Sequence, residues 1–170
     1  MALFDFIKTA GEKLFSHKDT ESAASELAAA PDDAAVKERV EALNRKAGDA
    51  IEAYVKTQNL PVTGLLVTFD GASGVATVFG IAGDQASKEK ILLCCGNVTG
   101  VSQVDDKMSV EVSEPESTLY TVVSGDNLSK ISKAHYDTPN KYMVIFEANK
   151  PMLSHPDKIY PGQVLRIPPL

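Results

Sequence analysis

The stretch Leu65–Phe79, LLVTFDGASGVATVF, decides the fold. Leu65–Phe69 and Val75–Phe79 are rich in β-branched and aromatic residues, and Asp70-Gly71-Ala72-Ser73-Gly74 between them is a glycine-bearing turn, so the stretch predicts a β-hairpin. An isolated hairpin is marginal in water and needs further elements to cover one face. Upstream, Val40, Leu43, Ala47, Ile51, Tyr54 and Val55 recur at helical spacing, and the stripe stops before Asn59-Leu60-Pro61. Gly48 inside that stripe costs about 1 kcal/mol relative to alanine, which a buried helix absorbs. Downstream, Asp84 has the chemistry of an N-cap for a helix that ends at Gly96. Val101, Val104, Met108, Val110 and Val112 predict a last strand, with Asp105-Asp106 marking a bulge or an edge charge. Helix, two strands, helix and strand make an α+β unit over residues 36–112.

Working outward to the N-terminus, Leu3, Phe4, Ile7, Ala10, Leu14 and Phe15 recur at spacings of three and four and predict a short helix over 1–15, docked on its own domain. Residues 16–35 are rich in Ala, Ser, Asp and Glu, with Pro31 near the end, and read as a linker with some helical tendency. On the other side, Ser113-Glu114-Pro115-Glu116-Ser117 is polar and carries a proline, which marks 113–118 as an interdomain linker. Residues 119–169 then form a second unit in the order strand, helix, helix, strand.

The charge balance narrows the function. Seventeen basic residues against 23 acidic give a net charge of −6, which removes the attraction that drives most nucleic-acid binding. No run of about 18 apolar residues occurs, so no membrane-spanning helix is expected. The start MALFDFIKTAGEKLF has neither a basic n-region nor an unbroken apolar core, so a cytoplasmic location is the expectation, with both thiols reduced. Adjacent Cys94 and Cys95 lack the Cys-x-x-Cys spacing of zinc and redox sites and read as buried small side chains. Walker A, nucleophile-elbow and dinucleotide signatures are missing, and an enzyme is not expected.

Tyr120–Pro168 resembles a LysM module. The matching features are Tyr120-Thr121-Val122, Ser124-Gly125-Asp126 followed by Leu128, Ile131 four residues before His135, Asn149, and Pro161-Gly162-Gln163 leading to Leu165, Ile167 and Pro168. The preceding unit, with GVATVFG at 74–80 and GVSQVDD at 100–106, is similar to a BON domain, a more degenerate pattern. Together with the start Leu3-Phe4-x-Phe6-x-Lys8-x-Ala10-Gly11-Glu12-Lys13-Leu14, the whole chain resembles the bacterial potassium-binding proteins of the BON plus LysM type. Residues 16–35 depart from that pattern by their length.

The resemblance implies a cytoplasmic, monomeric K+ sensor or buffer. In it, main-chain carbonyls of Ile7, Ala10, Gly96, Val98 and Val101 hold the ion and LysM packs against the bound form. The chemistry is coherent, because neutral carbonyl dipoles replace the water shell of a large monovalent ion without diagnostic side chains. A helix C-terminus offers unpartnered carbonyls and the negative end of the helix dipole. Gly96 is expected to end its helix in the left-handed conformation, and a plain glycine cap is the competing reading of the same residues. The competing function is peptidoglycan binding through LysM, in which Gly125, Asp126, Asn127 and Asn149 would meet N-acetylglucosamine polymers beside Ile159 and Tyr160.

Overall fold

The computed structural model describes residues 2–7 and 11–170. Its elements are β1 (Ala2–Asp5), α1 (His17–Ala29), α2 (Ala34–Thr57), β2 (Val62–Asp70), β3 (Val75–Asp84), α3 (Gln85–Gly96), β4 (Gln103–Val112), β5 (Thr118–Thr121), α4 (Leu128–Tyr136), a 3-10 turn (Pro139–Lys141), α5 (Tyr142–Ala148) and β6 (Val164–Ile167). The chain is of the mixed α+β class. A four-stranded sheet has the order β1-β4-β3-β2, and β5 pairs with β6 in a separate two-stranded sheet.

The hairpin Leu65–Phe79 forms the antiparallel β2-β3 pair, with Leu66 opposite Phe79 and Asp70 opposite Val75. β3 then runs parallel to β4 through α3, as a βαβ crossover requires. Val67, Phe69, Ala76, Val78 and Val104 are buried beneath Ile51, Val55 and Ile91 of the helices, each large side chain contributing about 1.5–3 kcal/mol of apolar burial. Leu66, Phe79 and Ile81 point the other way and stay exposed, as the period of two dictates. Gly48 has a packing role: a Cβ there would lie 2.7 Å from the Val67 carbonyl oxygen. Beside it, Glu52 accepts a hydrogen bond from Val67 N–H and Asn44 from Gly71 N–H, so α2 satisfies a backbone donor of the edge strand β2 and one of the turn that follows it.

Three expectations are corrected. The first residues form a strand, not a helix: Ala2–Asp5 pairs antiparallel with Gln103–Asp106 of β4. Phe4 and Phe6 pack on the core while Asp5 and Ile7 are exposed, an alternation of two that spacings of three and four conceal. Tertiary pairing decides here, because β1 covers backbone groups of β4 that would otherwise be an open edge. Ala10 lies outside the described residues. Second, the expected linker 16–35 contains α1, whose Thr20 and Ala23 are buried against the rest of the unit; small side chains allow that close approach. An Asp33 side chain accepting from Ala35 N–H and Val36 N–H then starts α2.

Third, Asp105 and Asp106 mark neither a bulge nor an edge. β4 is an inner strand with continuous register against β3, and the irregularity of the sheet falls in β2 between Thr63 and Leu66. Asp106 pairs with Lys88 at 2.8 Å and Asp105 with Lys107 at 3.0 Å.

The second unit packs Leu128, Ile131, Ile145, Phe146 and Leu153 against Val122, Leu165 and Ile167. Asn127 caps α4 through Lys130 N–H, and β5 and β6 pair from Thr118 opposite Ile167 to Thr121 opposite Val164.

Candidate ion site at the end of α3

α3 starts on Asp84, whose side chain accepts from Ser87 N–H, and ends in the apolar run Ile91–Cys95. Cys94 and Cys95 are 1% and 0% exposed. Burial pushes the Cys94 thiol up to about 12 and the Cys95 thiol well above its ordinary value. Both remain protonated at neutral pH, which removes the nucleophilic and metal-binding form.

Gly96 corrects another expectation. It is the last helical residue and does not adopt a left-handed φ. Its role is to admit the Phe6 ring, since a Cβ at Gly96 would lie 2.0 Å from Phe6 Cζ. The left-handed glycine is Gly100, at φ 103 in the turn closed by Val101 N–H donating to Val98 O at 3.1 Å.

The turn 97–101, buried from Val98 to Val101, is held from two sides. From the N-terminal segment, Glu12 N–H donates to Asn97 O at 2.9 Å, Thr99 N–H donates to Glu12 O at 2.7 Å, and the Thr99 hydroxyl donates to Gly11 O at 2.9 Å. Gly11, at φ 113, comes so close that a Cβ would lie 2.1 Å from Asn97 O. From the second unit, the Asn97 amide donates to Val164 O and accepts from Val164 N–H, both at 2.9 Å. Asn97 thus hydrogen-bonds in the manner of a strand residue to β6 through its side chain and to the N-terminal segment through its main chain.

The carbonyls of this region are only partly engaged. Asn97 N–H caps Leu93 O at 2.9 Å. Among the described residues no donor reaches the carbonyl oxygens of Cys94, Cys95, Gly96, Thr99, Gly100 or Val101, and Val98 O keeps one lone pair beyond its bond to Val101 N–H. Buried carbonyls are ordinarily satisfied. The structure therefore brings Gly96, Val98 and Val101 together at the negative end of α3, with Gly11 and Glu12 against them; Ile7 is 46% exposed beyond Phe6. This donor set, neutral oxygen on a dipole's negative end, fits a weakly hydrated cation. It does not fit a transition metal, and among the described residues no group of three or more His, Cys, Asp and Glu side chains gathers.

Side-chain contacts between the units lie on the same helix. Glu89 Oε2 accepts from Arg166 Nε, and Glu89 Oε1 from Gln85 and Ser117 N–H, with both charged side chains nearly buried. Burial raises the Glu89 pKa, but the bonds from Ser117, Arg166 and Gln85 outweigh it and hold the carboxyl below its ordinary value. Met152 packs on the core of the first unit. Nearby, burial pushes the Tyr160 phenol up to about 12, with the Glu12 carboxylate adding to the shift. Asn97, Glu89 and Arg166 escaped the sequence reading. The available signal was an arginine inside the apolar strand VLRI and a polar residue directly after Gly96.

The residues of the glycan reading are differently placed. Asn149 is 1% exposed, and its amide is engaged with Ile145 O, Arg166 O and Arg166 N–H. Asp126 accepts from the Tyr120 hydroxyl and Val123 N–H, Asn127 caps α4, and Gly125 O accepts from Lys130 Nζ. Ile159 packs on the core of the second unit, and Tyr160 lines the cleft shared with Glu12 and Tyr54. The polar side chains of that set serve the fold.

The LysM domain model matches residues 120–168. An uncharacterized protein of Deinococcus radiodurans is 49% identical over 51 residues, 30% of this chain and 19% of its own length. Potassium binding protein Kbp of Escherichia coli O6:H1 (strain CFT073) is 43% identical over 168 residues, 99% of each chain. A likeness of that depth, running from the N-terminal strand through the 97–101 turn to the LysM strands, places this chain in the Kbp family.

Proposed function

We propose that this chain binds potassium ion, and that the ion is held by main-chain carbonyls where α3 ends. The carrying observation is the 43% identity over 99% of the chain to a protein named for potassium binding. In this reading the ligands come from Gly96, Val98 and Val101 together with Ile7 and Ala10 of the N-terminal segment, and the 36–112 unit is of BON type. The geometry supports it through buried carbonyls without donors at a helix C-terminus, where the dipole favours a cation.

LysM acts as the closing half. Its strand β6 grips Asn97, so any rearrangement of the turn around an ion is felt at Val164, and binding shifts the chain toward the docked state. The role that follows is a cytoplasmic ion sensor or buffer, a binding protein without catalysis. Calorimetry with KCl against NaCl at matched ionic strength tests it: saturable heat with KCl alone is expected. Identical responses to the two salts would remove the reading.

A further inference from the structure

A cleft of about 260 Å3 opens between the two units, walled by Glu12, Tyr54 and Cys94 from the first and by Met152, Lys158 and Tyr160 from the second. Asn97 borders it too, but its amide is taken by Val164. Gln163 is the buried polar residue that faces it. Only 6% exposed, it accepts from Tyr160 N–H through Oε1, while its amide nitrogen meets no acceptor among the described residues. The two charges on the cleft are of opposite sign: among the described residues neither the Glu12 carboxylate nor the Lys158 ammonium has an ion-pair partner, and they do not pair with each other. Burial pushes the Tyr54 and Tyr160 phenols up, and the Glu12 carboxylate adds to both shifts, which puts it within electrostatic reach of both rings. Neither phenol is hydrogen-bonded to a described residue.

These features call for a ligand with two charges. An anion alone would meet Lys158 and Gln163 but also Glu12, and a cation alone would meet Glu12 but also Lys158. A zwitterion answers both, its carboxylate accepting from Lys158 and from the buried Gln163 amide in charge-assisted bonds. An ammonium beside a carboxylate and two phenol rings is favoured by charge and by the ring faces. The Tyr54 and Tyr160 rings and Met152 also give apolar contact, while Ser154 and the protonated Cys94 thiol add no charge. At about 260 Å3 the cleft falls just below the pockets of about 300–1,000 Å3 that take drug-sized ligands. We propose that it binds a free α-amino acid with a small apolar side chain, the ammonium at Glu12, the carboxylate at Lys158 and Gln163, and the side chain against Met152. Such a ligand touches both units and stabilises their docked arrangement by mass action.

The test is an NMR titration of the full chain with L-valine at constant ionic strength, in buffer free of potassium so that the outcome is independent of ion binding. L-Valinamide, which lacks the carboxylate, and isovalerate, which lacks the ammonium, are titrated in parallel. Valine is expected to give saturable shifts at Tyr54, Met152 and Tyr160 together and to bind more tightly than either single-charge analogue. Glu12→Gln, which keeps the main-chain bonds to Asn97 and Thr99, is expected to weaken valine and valinamide about fivefold, the upper end for an exposed ion pair, and to leave isovalerate unweakened. Lys158→Gln is expected to do the reverse, weakening valine and isovalerate and sparing valinamide. Absence of saturable shifts with valine in the unaltered chain overturns the proposal. So does an analogue that binds as tightly as valine, or valine affinity unchanged in both variants.

Discussion

The two ends of α3 work by different chemistry. Toward its start the helix acts through charged and polar side chains: Asp84 caps it, Lys88 reaches Asp106 and Glu89 reaches Arg166 of β6. Toward its finish Cys94, Cys95 and Gly96 offer nothing reactive in their side chains, and the main-chain oxygens carry the possibilities. Both ends meet the same short strand, one at Arg166 and one, through Asn97, at Val164. One helix therefore transmits docking by ion pairing and by backbone geometry, and the two can be separated by substitution.

The largest effect is expected from breaking the side-chain end. Arg166→Ala strands the Glu89 carboxylate in a buried position, and removing one partner of a buried pair costs about 3–5 kcal/mol. Denaturant unfolding monitored in the second unit measures it. The double variant Glu89→Leu with Arg166→Met is expected to recover part of that loss, since no unpaired charge remains but Ser117 N–H and the Gln85 amide lose their acceptor. A double variant as unstable as Arg166→Ala would show that the stranded carboxylate is not what destabilises the single variant.

At the backbone end, Gly96→Val places side-chain atoms where the Phe6 ring lies. Overpacking of this kind costs about 3 kcal/mol, near the top of the usual range, and displaces the segment that leads to the proposed ligands. Potassium affinity is expected to fall with stability. Retained affinity alongside a displaced Phe6, read by NMR, would move the ion site away from the α3 terminus.

That contrast explains what the sequence disclosed. The hairpin at 65–79, the Asp84 cap and the helices of the second unit follow from side-chain pattern and appear in place. β1 was hidden because the residues around Phe4 and Phe6 fit a helical spacing as well as a strand, and only pairing with β4, about a hundred residues away, decides between them. α1 shows in the sequence only as a helical tendency within an expected linker, because Ala23 and Thr20 bury small surfaces that carry no strong periodicity. At the candidate site, Gly96 was legible as a constraint but not its cause, which is the Phe6 ring. Carbonyl direction depends on backbone torsion, and no residue type announces it.

A middle-sized effect sharpens the comparison from the LysM side. Asn97→Ala removes the amide that bonds both backbone groups of Val164 and leaves them near a buried surface, for about 1–3 kcal/mol. The main-chain bond from Glu12 N–H to Asn97 O needs no side chain and is expected to survive. Amide hydrogen exchange should accordingly speed up at Val164 while Thr99 N–H, bonded to Glu12 O, stays protected. Equal acceleration at both would mean that the two grips on the turn are not independent.

Acid is a gentler probe of the same charged end. Because the folded Glu89 carboxyl is held below its unfolded value, its stabilisation is fully present above the unfolded carboxylate range and is lost as pH falls through the folded pKa. The effect is a fraction of that from Arg166→Ala, since a protonated carboxyl still offers one acceptor oxygen. Stability measured from pH 7 downward should decline in the Glu89 chain and decline less in Glu89→Gln, which has no proton to gain.

The smallest effect is expected at the residues that draw the eye. Cys95→Ala deletes one buried sulfur at 0% exposure, a loss on the scale of a methylene group plus a small cavity, or about 1 kcal/mol. The carbonyl of residue 95 is unchanged by the substitution, and the helix gains propensity from alanine. Potassium affinity should therefore stay within about twofold of the parent, the margin set by a few tenths of a kcal/mol. Burial also predicts that neither thiol reacts with an alkylating reagent until the chain unfolds. Rapid alkylation of the native chain, or a Cys95→Ala variant as weak for potassium as Gly96→Val, would transfer to the thiols the role proposed for the main-chain oxygens beside them.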